Sequence, residues 1–136
     1  MSEDFSVVFK APRERVFNFM TDFENLSFYS LFIKKITIIS KRENKLELQI
    51  RIKIPQGITI IAIHDVEVRP YSMYIETAIT GPRKGTTIST IFVQDGENTI
   101  VSRHSDRAGS TEVITQGQEF WKKELEAYRR EIERQF

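Results

Sequence analysis

Histidine is the side chain whose ordinary pKa lies closest to neutral pH, and this sequence holds two, His64 and His104. In the run Ile58 to Val68, the residues Ile58, Ile60, Ala62, His64, Val66 and Val68 share one parity. Alternate residues of a strand face opposite ways, so the imidazole of His64 is expected to point inward among apolar neighbours. There it is either a core histidine satisfied by one hydrogen bond, or a group that bonds a carbonyl or hydroxyl of a ligand and could move a proton. His104 lies in a run that does not decide its own facing. Ile100, Ser102, His104 and Asp106 form one side of it and Thr99, Val101, Arg103 and Ser105 the other, so either His104 joins His64 inside or Arg103 does.

Other reactive patterns are missing. With no cysteine, disulfides, thiolate metal sites and cysteine nucleophiles are excluded, and two histidines do not make a histidine-rich metal site. The chain contains no Gly-x-Ser-x-Gly and no phosphate-binding glycine loop, so any catalysis would rest on proton transfer and shape. No cofactor is expected. Asp65 and Glu67 alternate with His64 and should face water, where a paired-carboxylate acid/base site could not hold raised pKa values. Lys34, Lys35, Lys41, Arg42 and Lys45 form a local basic group without the interleaved aromatics of a nucleic-acid platform, and the whole chain carries a net charge of +1. No nucleic-acid partner is expected. Tyr29, Leu31 and Phe32 are crowded apolar residues read as the mouth of a cavity, and Trp121 as part of its lining.

The elements that must position these groups follow from the periodicity. At 136 residues, 40% of them hydrophobic and 29% charged, the chain is expected to form one soluble domain spanning residues 1–136. No run is long enough to span a membrane, and Met1-Ser2-Glu3-Asp4 is acidic where a secretory signal would be basic, which points to the cytoplasm and allows at most transient membrane contact. Phe5 to Lys10 reads as a strand, followed by a helix opened by Ala11-Pro12 and a second short helix from Asp22 to Tyr29. Six further strands follow. The cleanest alternates Leu46, Leu48, Ile50, Ile52 and Ile54 with charged or polar residues; another is read from Met73, Ile75, Thr77 and Ile79, and Asp95-Gly96 turns the last pair. From Ser110 the period turns helical, with Ile114, Gly117, Trp121, Leu125, Tyr128 and Ile132 on one stripe. The order predicts an α+β fold in which a seven-stranded curved antiparallel sheet wraps around the long C-terminal helix, with two short helices after the first strand.

Two segments carry a resemblance to a known family. Phe9-Lys10-Ala11-Pro12-Arg13-Glu14-Arg15-Val16-Phe17 followed by Thr21-Asp22-Phe23-Glu24-Asn25-Leu26 is similar to the opening of the START-related, or SRPBCC, superfamily. That superfamily includes polyketide cyclases, the birch pollen allergen group, coenzyme Q-binding proteins and a branch of carbon monoxide dehydrogenase accessory proteins. The later Gly81-Pro82-Arg83-Lys84-Gly85 resembles a turn of the quinone-binding branch, with Arg83 where an aromatic is usual. The resemblance implies a helix-grip fold with a cavity for a lipid, quinone, polyketide or similar small hydrophobic molecule. The expected lining is Tyr29, Phe32, Ile52, His64, Ile75, His104, Gly117, Trp121 and Leu125. A carrier or accessory protein is the leading expectation; a cyclase/dehydratase-like enzyme and an assembly factor for a larger enzyme are the alternatives. The oligomeric state is not legible in the sequence.

Overall fold

The computed structural model describes residues 2–53, 57–81, 83–106 and 111–135, with side chains described over 4–53, 57–81, 83–106 and 121–135. Ile54, the turn at Pro55-Gln56, Pro82 and the side-chain environment of Gly117 therefore lie outside the described residues.

The element order is β1 (Ser2–Phe9), α1 (Arg13–Thr21), α2 (Phe23–Leu26), β2 (Ile33–Arg42), β3 (Lys45–Lys53), β4 (Thr59–Arg69), β5 (Met73–Ala78), β6 (Thr87–Asp95), β7 (Asn98–Asp106) and α3 (Thr111–Arg134). The strands form one antiparallel sheet in the order β1-β7-β6-β5-β4-β3-β2. From β2 to β7 each strand pairs with the next, as short turns require, while β1 crosses to the far side and pairs with β7. The seven-stranded sheet and long C-terminal helix expected from the periodicity are both present.

Burial explains why the sheet needs the helix. Leu48, Ile50, Ala62, Val66, Tyr74, Phe92 and Val101 are buried on one face, and the inner stripe of α3 supplies Leu125, Tyr128 and Ile132 against them. Val16, Phe17 and Met20 of α1 and Phe23 and Leu26 of α2 complete the core. Phe17 meets Phe92 edge-on at 5.1 Å between ring centres, and Phe23 meets Tyr74 at 5.5 Å. Burying such side chains stabilises the fold by roughly 1.5–3 kcal/mol each before conformational entropy is counted.

The short segments have local causes. Pro12 precedes α1 in an extended conformation, and the open N–H of Arg13 donates to the side chain of Gln94 at 2.7 Å. Asp22 joins α1 to α2 by accepting from the Asn25 side-chain amide at 2.9 Å, so the Thr21-Asp22 segment is a helix junction. At the outer edge, β2 carries two register shifts, between Ile33 and Lys35 and between Ile38 and Ser40. There Glu24 of α2 accepts the N–H of Ile38 at 3.3 Å. No helix among the described residues is long and apolar enough to cross a membrane.

Candidate functional site

Between the inner face of the sheet and the helices lies a largely enclosed cavity of about 40 Å³. Its wall is apolar on the β2–β3 side, where Ile33, Ile36, Leu48, Ile50 and Ile52 face Phe23 and Leu26 of α2. Across from them stand four polar side chains, His64, Tyr74, Glu76 and Arg103, and α3 closes the space with Trp121 and Tyr128.

The sheet register explains how the polar groups meet. Arg103 pairs with Thr90, and Thr90 with Tyr74, so β7, β6 and β5 put these residues in one row across the inner face. An Arg103 Nη donates to the Tyr74 hydroxyl at 3.2 Å. His64 pairs with Ala78, which makes Glu76 its diagonal neighbour two residues along β5. The His64 Nδ1 lies 3.9 Å from a Glu76 carboxylate oxygen, an ion-pair separation too long for a hydrogen bond.

These groups sit deep enough to perturb one another. Burial alone would push the Glu76 carboxyl up, but the His64 imidazole and the Arg103 guanidinium hold it below the ordinary carboxylate value. Burial likewise works against a charge on Arg103, and its proximity to Tyr74 and Glu76 outweighs this and holds the guanidinium firmly protonated. The Tyr74 phenol is raised chiefly by burial and stays neutral. The result is a guanidinium and a carboxylate of opposite charge lining one cavity, with an imidazole and a phenol beside them.

A second buried carboxylate anchors the wall. Glu124 of α3 is 0% exposed and accepts the N–H of Leu31 at 2.6 Å and the hydroxyl of Ser30. The same Ser30 Oγ accepts from the N–H of Ile33 at 2.7 Å and of Phe32 at 3.1 Å. The segment between Leu26 and Ile33, two residues of the cavity wall, is thus fastened to the helix between Trp121 and Tyr128, two more. Burial raises the Glu124 carboxyl in spite of these bonds.

Trp121 is positioned from the opposite end of the sheet. Gly81 and Gly85 have φ of +96° and +90°, and a Cβ on Gly81 would meet that of Ala62 at 3.1 Å, so the turn between β5 and β6 requires glycine there. That turn presents Arg83, whose guanidinium carbon lies 5.5 Å from the centre of the Trp121 ring.

Of the side chains selected from the sequence, Ile52, His64 and Trp121 line the cavity. Leu125 is fully buried in the core beside it. Other placements are corrected. Arg103, not His104, occupies the inner face of β7; His104 is on the outside, bonded to Asp4 and 3.6 Å from Asp106. Ile75 also faces outward, because Tyr74 and Glu76 hold the inner positions of β5, and the parity read from Met73 and Ile75 is that of the outer face. Tyr29 packs on Phe19 at 5.2 Å and borders a separate surface groove of about 420 Å³ with Phe28 and Gln135. Phe32 is half-buried, and its carbonyl accepts the N–H of Lys53 at 2.9 Å, which starts the β2–β3 pairing.

Tyr74, Glu76 and Glu124 were missed. A signal existed for Glu124, which stands three residues after Trp121 and four before Tyr128, a spacing that returns to the same helix face.

No protein-family model matches the chain, and no curated protein matches its sequence. Solved structures do match. A START superfamily protein from Mycobacterium smegmatis is 16% identical with a TM-score of 0.88, over 99% of this chain and 99% of that one. The TTHA0849 protein of Thermus thermophilus is 14% identical with a TM-score of 0.85, over 96% of this chain and 95% of the other. Zhui aromatase/cyclase from Streptomyces sp. R1128 is 13% identical with a TM-score of 0.72, over 98% of this chain and 94% of its own. The protein therefore has the START-like helix-grip fold shared with polyketide aromatase/cyclases, the fold that the Ala11-Pro12 and Thr21-Asp22 segments resemble.

Proposed function

We propose that the protein binds one small, mostly apolar molecule between the sheet and α3, as a cytoplasmic carrier or accessory protein. The observation that carries this reading is the cavity itself, an apolar wall faced by the polar side chains of His64, Tyr74, Glu76 and Arg103. A space lined by apolar groups with a few convergent polar ones is the ordinary form of a ligand site. At about 40 Å³ it has room for no more than a few water-sized groups, so a larger guest enters by parting the wall. The segment fastened by Glu124 is a part of that wall held by discrete hydrogen bonds. Native mass spectrometry of the purified protein tests the reading directly, with a co-purified small molecule as the expected result. The neutral fluorophore N-phenylnaphthylamine should bind at one site per chain with a negative heat-capacity change, since apolar surface leaves water on both sides of the contact. Absence of any saturable binding would remove the reading.

A second reading is favoured by the His64–Glu76 pair. A carboxylate held charged beside an imidazole can orient it as a proton acceptor, which would suit a cyclase/dehydratase-like reaction on a polyketide-like substrate. The likeness to Zhui aromatase/cyclase is consistent with that chemistry. Turnover that disappears in His64→Ala while the fluorophore still binds would favour the enzyme over the carrier.

A further inference from the structure

We propose that the bound molecule carries an uncharged carbonyl oxygen and seats it against the guanidinium of Arg103. The inference rests on the reading of the cavity as a ligand site and deepens it. Arg103 is 8% exposed and lines the cavity. One of its Nη groups donates to Tyr74, while its buried Nε has no hydrogen-bond partner among the described residues. A buried guanidinium N–H requires an acceptor. None of the described residues supplies one, so a guest that parts the wall there satisfies the donor only if it brings an oxygen of its own. A pure hydrocarbon leaves the donor bare.

The charge of that oxygen follows from what surrounds Arg103. Glu76 on β5 lines the same cavity, stays ionised and lies in the field of the guanidinium, and Glu124 on α3 is a second carboxyl in that field. His64 on β4 borders Glu76, and the phenols of Tyr74 and Tyr128 stay protonated. A ligand carboxylate would enter a cavity already lined by the ionised Glu76 and would become a second anion there, which is unfavourable. A ketone or ester carbonyl accepts the Nε–H and adds no charge. The arrangement therefore discriminates on both sides, against hydrocarbon for lack of an acceptor and against acid for excess of charge.

The experiment is displacement of N-phenylnaphthylamine at neutral pH by methyl nonyl ketone, undecane and undecanoate, three guests of equal carbon count. The wild type should bind the ketone more tightly than undecanoate. In Glu76→Gln, which removes the anion from the cavity wall, the ratio should move toward undecanoate by about tenfold. In the double variant Arg103→Met with Glu76→Gln, which removes both charges together, the preference for ketone over undecane should fall by about tenfold relative to wild type. Tighter binding of undecanoate than of ketone by the wild type overturns the proposal, as does a ketone-to-undecane ratio unchanged in the double variant; in both cases cavity binding itself stands. Failure of the fluorophore to bind the wild type overturns the proposal and the ligand-site reading together. Should the double variant fail to fold, the wild-type comparison of ketone with undecanoate still decides.

Discussion

Leu31 donates its backbone N–H to the Glu124 carboxylate at 2.6 Å, across 93 residues of sequence. A carboxylate with no solvent exposure is costly unless its lone pairs are used, and here the Ser30 hydroxyl and the Leu31 N–H use them. Burial nevertheless dominates and raises its pKa.

The pH dependence of that site has a definite sign. A carboxyl whose folded pKa is raised contributes stability below its unfolded value, about 4.3, and loses that contribution as pH rises through the folded value. Glu124→Gln should remove this decline, so wild type should lose ground to the variant as pH increases from about 4 toward neutrality. Glu76, with its lowered pKa, works the other way and favours folding above about 4.3, with loss as pH falls through the folded value. Denaturant titrations across pH for wild type, Glu124→Gln and Glu76→Gln should show these opposite trends.

Truncation at the same position should be worse than neutralisation. Glu124→Ala strips the acceptor from the Leu31 N–H and the Ser30 hydroxyl, and an unsatisfied buried donor costs about 1–3 kcal/mol. Equilibrium unfolding should show a loss of that size, and hydrogen exchange should accelerate at Leu31, Phe32 and Ile33 before it does in β3.

His104 should be irrelevant to ligand binding. Its imidazole is raised first by the hydrogen bond to Asp4, then by the charges of Asp4 and Asp106, on the outer side of the β1–β7 pair. The stabilisation from a raised histidine is present below about 6.5 and is lost as pH rises through the folded pKa. His104→Ala should lower stability only on the acid side of that transition, with fluorophore affinity equal to wild type at every pH.

The two faces of β5 and β6 should respond very differently to change. Phe92→Ala deletes a side chain packed between Phe17 and Tyr74 and should cost about 3–5 kcal/mol. Ile75→Ser alters the outer face and should cost about 1 kcal/mol or less. Comparable losses from the two substitutions would contradict the assignment of Ile75 to the outer face.

Which parts of this arrangement were legible in the sequence follows from how each strand advertises its faces. β3 alternates apolar with charged or polar residues so regularly that Ile52 could be placed from parity alone, and in β4 the alternation of His64, Val66 and Val68 with Asp65, Glu67 and Arg69 placed His64 although Ile61 and Ile63 interrupt the pattern. β5 misleads because its inner positions hold Tyr74 and Glu76, whereas its outer ones include Met73 and Ile75; an inward charge reverses the hydrophobic signal. β7 carries polar groups on both sides, and parity there cannot separate Arg103 from His104. The turn could have done so. Once Asp95-Gly96 fixes Asp95 opposite Asn98, Phe92 falls opposite Val101 and Thr90 opposite Arg103, and an inward Phe92 carries Arg103 in with it. Glu124 was obscured for the opposite reason, since a charged residue at the border of an apolar stripe reads as solvent-facing until its partners, here Ser30 and Leu31, are known.

The register shifts of β2 also bear on how the protein coexists with copies of itself. An open sheet ends in a strand with unpaired backbone groups, and such an edge invites another chain to add to it. Here the edge strand is irregular at two points, exposes Lys34, Lys35, Lys41 and Arg42, and has the N–H of Ile38 taken by Glu24. An incoming strand would need to match two bulges, displace a carboxylate and tolerate a row of cations. The sheet thereby stays open enough to wrap a helix while its β2 edge resists growth into aggregated β-structure, a hazard that the isoleucine-rich strands beside it would otherwise carry.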